Sequence, residues 1–185
     1  VLNELTSTIG SVLLGLQIGC AQCHDHKYDP ISQADFYRFR AIFEPAVAVK
    51  RNQSLSLLSE RETPPISHLM LRGDWRRPGP VVLPAFPRIA NPAAIAVPQP
   101  APGTSSCRRL ALSRWLADPA NPLTSRVMVN RIWQHLFGRG IDRTPNDLGR
   151  RGLPPTHPEL RDWLARDFIR GGWKIKRLQK PVSYT

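Results

Sequence analysis

Gly19-Cys20-Ala21-Gln22-Cys23-His24-Asp25-His26-Lys27-Tyr28-Asp29-Pro30 is a break between helical patterns, and it carries the chemistry of the chain. Gly19 suits a helix stop. Asp29-Pro30 closes the break, because the residue before a proline is driven out of the helical region. Between them stand two thiols three residues apart, followed at once by an imidazole, the spacing of covalent c-type haem attachment. Each thiol can close a thioether on one vinyl group of a haem edge. The next residue's imidazole then faces the iron as proximal ligand.

Working outward, residues 3–18 are expected to be helical, with Leu5, Ile9, Val12, Leu13 and Leu16 recurring at three- and four-residue steps. On the other side, Ser32 is placed to cap a helix, with Asp35 completing a capping box. That helix, Gln33 to Phe43, offers Phe36, Phe39, Ala41, Ile42 and Phe43 to a core or a haem edge. From residue 44 to 65 the pattern dissolves, and a loop is expected. His68–Arg72 fits a short strand running into the turn-rich stretch 73–80. Eight prolines lie between Pro78 and Pro102, favouring extended, polyproline-like backbone.

Beyond residue 105 helical signals return. Ser105 or Ser106 is expected to cap a helix through Trp115 and Leu116, ended at Asp118-Pro119. Thr124 is expected to cap the next, which carries Val127, Ile132, Trp133, Leu136 and Phe137 and stops at Gly138. Thr156 and Glu159 have capping-box spacing ahead of Leu160, Trp163, Leu164, Phe168 and Ile169. Gly171-Gly172 ends that helix, and residues 173–178 begin another. The expectation is a mainly α fold. It comprises a cytochrome-like helical segment with the Cys-x-x-Cys-His loop (1–45), a Pro-rich linker with a short strand (46–104), and a basic three- to four-helix domain (105–185).

Charge is unevenly spread. Sixteen of the 26 Lys+Arg and six of the 14 Asp+Glu lie at 105–185, so that segment holds +10 of the net +12. A basic half invites nucleic acid, anionic polysaccharide or acidic lipid. The plainer account is an Arg-rich solvated face, and nucleic acid is set aside. No apolar run reaches the roughly 18 residues of a membrane span. Residues 9–19 have a signal-like apolar core, but Glu4 rather than a basic residue precedes them, and a buried helix explains them better. The chain opens on Val1 and ends on Tyr184-Thr185, and is expected to be a piece of a longer protein.

Three readings of the Cys20/Cys23/His24 site stand side by side. As haem c, His24 is the proximal ligand. The candidates for a sixth ligand are Met70, Met128, His26, His68 and His135. As a zinc-like metal site, Cys20 and Cys23 supply thiolates and His24 or His26 nitrogens, with Cys107, His68, His135 and His157 as distant candidates. As plain thiols, the pair can oxidise to a disulfide. Asp25 is placed to orient His24 or His26. Cys107 is expected to be a buried small hydrophobe inside a helix. Arg143, Asn146, Asp147, Arg150 and Arg151 are expected to tie their loop down by internal Arg–Asp pairs. A nucleophile with its base, paired carboxylates in a recognisable motif and a phosphate-cradling glycine motif are all absent. The site therefore points to a redox carrier rather than a catalyst.

Several longer phrases carry a resemblance. They are residues 13–40, from Leu13-Leu14-Gly15-Leu16-Gln17 through the cysteine motif to Asp35-Phe36-Tyr37-Arg38, then residues 68–80, and above all residues 121–173. The last include Asn130-Arg131-Ile132-Trp133-Gln134-His135-Leu136-Phe137-Gly138 and Pro154-Pro155-Thr156-His157-Pro158-Glu159. Residues 13–40 resemble the cytochrome-like domain of large planctomycete proteins, and the other two stretches its companion C-terminal domain. The resemblance implies an exported, periplasmic or extracytoplasmic protein, with redox work linked to polysaccharide use. It places the family's Cys-x-x-Cys-His on Cys20, Cys23 and His24, and its Asp-His-Lys on Asp25, His26 and Lys27. Two departures are expected to matter: a short stretch between Phe43 and His68, and an end, 178–182, that leaves the family's helical continuation.

The leading expectation is a haem-binding electron-transfer protein with an unknown redox partner. The alternative is a non-enzymatic scaffold with a structural Cys/His metal site and a basic face for an anionic glycan or protein.

Overall fold

Helix α1 (Leu2–Leu14) opens the chain and ends four residues before the expected helix does. Gly15, at φ +63°, turns it off, and a β-carbon there would meet Leu148 Cγ at 2.7 Å. That left-handed backbone and close approach make Gly15, not Gly19, the helix stop. Gly19 lies instead inside a 3-10 turn, Ile18–Gln22, which also carries Cys20. The computed structural model describes residues 1–52, 55–61, 64–90, 97 and 105–183. The rest of the Pro-rich stretch, with its expected polyproline backbone, lies outside the described residues.

Helix α2 (Gln33–Arg40) begins at Ser32 with both halves of the capping box formed, as its sequence predicts. It stops at Arg40, and Ala41, Ile42 and Phe43 continue as a buried turn. The expected loop after residue 44 is instead a hairpin, β1 (Ala46–Asn52) against β2 (Leu55–Glu60), antiparallel with a bulge between Val47 and Val49. Alternating Ala46-Val47-Ala48-Val49 and Leu55-Ser56-Leu57-Leu58 carry that signal, since β-branched and apolar residues fit a pleated surface. The expected short strand at residue 68 is β3 (His68–Met70), paired with β4 (Pro78–Val81).

Four more helices follow: α3 (Arg108–Ala117), α4 (Thr124–Phe137), α5 (Pro158–Arg170) and α6 (Ile175–Ser183). The fold is mainly α, as expected. Cys107 precedes α3, exposed and at φ +51°, so it is not the buried helical residue expected. Ser105 and Ser106 do serve the start of α3, accepting from the N–H groups of Cys107 and Arg108 at 3.3 and 3.4 Å. Thr124 is not the cap of α4. The Asn121 side chain, three residues earlier, accepts from the Leu123 and Thr124 N–H groups at 3.0 and 3.3 Å. The Thr156/Glu159 box does not form either. Thr156 Oγ1 donates to Ile141 O, and Pro158 starts α5 with its preset φ.

The chain divides into two compact units. Unit 1 holds Val1–Thr6 and Ile18–Trp115. Its core gathers Ile18, Ala21, Phe36, Tyr37, Phe39, Ile42 and Phe43, with Phe86 stacked on Trp115 at 4.6 Å. Unit 2 holds Ser7–Gln17 and Leu116–Thr185. Val129, Ile132, Ile141, Leu164, Ala165, Phe168 and Leu178 form its core.

Candidate functional site

The cysteine loop is held from three directions within unit 1. Buried Ile18 and Ala21 anchor the 3-10 turn in the core, leaving Cys20 facing solvent. At its end, the Gln22 carbonyl accepts from Tyr37 Oη at 3.1 Å and from Gln33 Nε2 at 2.9 Å. Gln33 Nε2 also donates to Met70 O at 3.0 Å, stitching the loop to β3. Burial above all pushes the Tyr37 phenol up, so it remains a donor at neutral pH.

The two histidines have separate fates. His24 is exposed, and its Nδ1 lies 2.6 Å from the carbonyl oxygen of Asp25. A donor at that nitrogen leaves Nε2 as the open, basic nitrogen of the ring. His26 has a side chain only 3 % exposed. Its Nδ1 accepts from the N–H groups of Asp29 and Tyr28 at 2.9 and 3.3 Å. Its ring is the inner template of the loop, which closes with His26 N–H on Ile31 O at 2.8 Å. Asp25 does not orient either imidazole through its carboxylate. Oδ1 accepts from Gln33 N–H at 2.7 Å, at the start of α2.

The turn between β3 and β4 reaches the second thiol. Gly73, at φ +78°, comes so near that a β-carbon built on it would lie 2.8 Å from Cys23 Sγ. Glycine is required there twice over, for the left-handed backbone and for the space. Beside the loop, Arg88 grips Asp35 through Nε–Oδ1 at 2.8 Å and Nη2–Oδ2 at 3.2 Å. Burial pushes the Asp35 carboxyl up, but the bonds from Arg88 and Ser32 outweigh it and hold it below the usual range. An open cleft of about 340 Å³ lies between Asp25, His26, Asp29, Ser32 and Arg88. Gln33, Tyr37, Gly73 and Arg88 carry no motif. Their roles depend on separations of 11 to 53 residues, for which the sequence has no local signal.

The other expected ligands lie elsewhere. His68 shares unit 1, with Nδ1 2.9 Å from Gly79 O inside its own hairpin. Met70 lies on the same strand, its carbonyl bonded to Gln33. Met128, His135 and His157 belong to unit 2, where His157 Nδ1 meets Thr156 Oγ1 at 3.1 Å. Cys20, Cys23 and Cys107 are exposed and unbridged. Among the described residues no three His, Cys, Asp or Glu side chains are grouped so as to hold a metal ion. The loop 143–155 is tied down by Arg131 Nη2 on Asn146 Oδ1 at 2.7 Å and by Thr144 Oγ1 on Asp147 O at 2.8 Å. No helix among the described residues is long and apolar enough to cross a membrane.

The donor set fits a covalently held haem. Two solvent-facing thiols sit on one turn with an imidazole whose second nitrogen is already engaged. A glycine leaves one of those thiols the room that a side chain would fill. Residues 1–48 match the family model described as PSCyt2, a protein of unknown function (DUF1549). Residues 108–185 match that of PSD1, a protein of unknown function (DUF1553), including the end expected to leave the pattern. No curated protein and no solved structure shows significant similarity to the chain.

Proposed function

We propose that this chain, in which a planctomycete cytochrome-like domain precedes its companion C-terminal domain, is a c-type haem protein that carries electrons outside the cytoplasm. Cys20 and Cys23 hold the porphyrin by thioethers, and His24 Nε2 is the proximal iron ligand. The observation that supports this most is the His24 geometry. Nδ1 on the Asp25 carbonyl at 2.6 Å fixes the ring, as the outer partner of a metal-ligating histidine ordinarily does. The haem supplies one-electron transfer. The protein supplies the anchoring turn, the Gln33 and Tyr37 bonds that fix it, and the space at Gly73.

A haem c site needs only one imidazole and two thioethers from the protein. A structural zinc site needs four converging ligands, and the described side chains form no such group. That difference favours haem over the metal-knot scaffold. The test is an absorption spectrum and an intact mass, with and without a cytochrome c maturation system. The expected result is a Soret band that survives denaturation and a mass gain of one haem, both lost in Cys20→Ala/Cys23→Ala. His24→Ala is expected to keep the covalent haem but shift its Soret band, because the proximal ligand is gone. A colourless protein carrying stoichiometric zinc would overturn the reading.

A further inference from the structure

The turn that closes on Cys23 presents side chains that its own fold does not use. Its backbone needs are met internally, by Leu71 N–H on Arg77 O at 2.9 Å and Asp74 N–H on Leu71 O at 3.1 Å. Yet Trp75 is 78 % exposed and buries little against the unit that carries it, and Leu71 beside it is still 40 % exposed. Arg72, Arg76 and Arg77 are exposed around them. Asp74 pairs with Arg76, Nε to Oδ1 at 3.1 Å, and the Arg77 charge also acts on its carboxylate, so within the turn one carboxylate faces the three guanidinium groups of Arg72, Arg76 and Arg77. The cysteine loop adds exposed Lys27 and the exposed Asp25 carboxylate, which is turned to Gln33 N–H and acts on Arg88, while Asp29 is buried.

An aromatic centre ringed by arginines is the composition of a protein contact, because the ring buries much area at little entropy cost and the charges steer approach. Gly73 puts this patch directly against the thiol proposed to carry haem. We propose that the Leu71–Arg77 turn, with Trp75 at its centre and Arg72, Arg77 and Lys27 around it, is the docking surface for an acidic electron-carrier protein. The inference rests on the haem reading for the partner's role. The surface itself is formed by the chain alone.

The probe is an acidic flavodoxin, its binding followed at low ionic strength with the whole chain, both haem-matured and haem-free. Arg72→Glu/Arg77→Glu is expected to slow association about tenfold or more, as loss of electrostatic steering does. Lys174→Glu/Lys176→Glu, which changes net charge equally on exposed residues of unit 2, is expected to change it less than about twofold. Trp75→Ala is expected to speed dissociation about tenfold at an unchanged salt dependence. Equal slowing in both double variants would reduce the effect to net charge and overturn the proposal, as would an unchanged dissociation rate in Trp75→Ala. Should the arginine variants not fold, hydrogen exchange of the unmodified chain decides. Flavodoxin must protect Leu71–Arg77. No protection, or protection by dextran sulfate alone, overturns the proposal, the latter in favour of an anionic glycan. A Soret band without that footprint removes the docking surface and leaves the haem reading. The footprint without a Soret band does the reverse.

Discussion

One missing β-carbon sets how near the β3–β4 turn can come to the cysteine loop. Alanine at position 73 would have to adopt φ +78°, and its methyl would press on Cys23 Sγ from 2.8 Å. The left-handed backbone alone costs about 1–2 kcal/mol. Gly73→Ala is therefore expected to lower the urea midpoint with an unchanged slope, by about 1–3 kcal/mol once the clash is added. Peptide mapping of the matured protein should show the thioether lost at Cys23 before Cys20. Asn130 makes a similar case in unit 2. It is 1 % exposed, and it accepts from Asp142 N–H at 2.8 Å while donating to Asp142 O at 2.9 Å. Asn130→Ala orphans both buried backbone groups, and urea unfolding should register a loss of about 1–3 kcal/mol. At this scale the sequence discloses what is local. The Ser32/Asp35 box closes within four residues and was legible. Gly73 meets Cys23 fifty residues away and was not.

Between elements, α4 and α5 are clamped by charge. Arg126 grips Asp162 with Nε on Oδ1 at 2.8 Å and Nη2 on Oδ2 at 2.9 Å, and Arg161 reaches both Asp162 and Asp142. The bonds from Arg126 are the chief cause that holds the Asp162 carboxyl down at about 2, against burial, which pushes it up. A folded value below the ordinary 3.8 adds stability above pH 3.8 that is lost as pH falls through about 2. Asp142 runs the other way. Burial pushes its carboxyl up against Arg161, so its contribution is full below the ordinary value and lost as pH rises through its folded value. Asp162→Asn is expected to cost about 1 kcal/mol at pH 7, a figure kept low by the part-exposed pair. That cost should shrink as pH falls below 3.8 and vanish only below about pH 2, which urea unfolding at a series of pH values checks. Periodicity and the glycine stops made these helices legible. Their starts were less so, because the cap of α4 is a side chain three residues upstream and α5 begins on a proline. The β1–β2 hairpin is hard to read ahead of the fold because its strand signal at Ala46–Val49 runs into a stretch, from Asn52 to Glu62, that reads as polar.

Over the whole chain, the units are not the sequence cut once. Unit 2 includes Ser7–Gln17 together with Leu116–Thr185. The segment holds that place by hydrogen bonds to its backbone and from its side chains. Leu148 N–H donates to Gly15 O at 2.7 Å, Gln17 Nε2 to Asn146 O at 3.0 Å, and Arg131 Nε to Val12 O at 3.1 Å. Gly15 lets Leu148 and Val127 close on the chain, at distances a β-carbon would forbid. Nothing local to residues 7–17 announces partners 119 to 133 residues on. Linear reading sees an amphipathic helix and cannot say which core it serves. The consequence is testable by cutting the chain. Residues 108–185 alone keep the α4–α5–α6 core but lose two acceptors of Arg131, the carbonyls of Ser11 and Val12, and the partner of Leu148. Removing a few such bonds, at about 1 kcal/mol each, is a large share of the 5–15 kcal/mol that keeps a domain folded. Circular dichroism of that fragment should therefore show reduced helicity and a broad, early melt. A synthetic peptide of residues 1–17 added in trans should restore a cooperative transition in proportion to its concentration, whereas the same peptide with Gly15→Ala should restore less. Full helicity and a sharp melt in the isolated fragment would mean that Ser7–Gln17 rests on unit 2 without helping to hold it together.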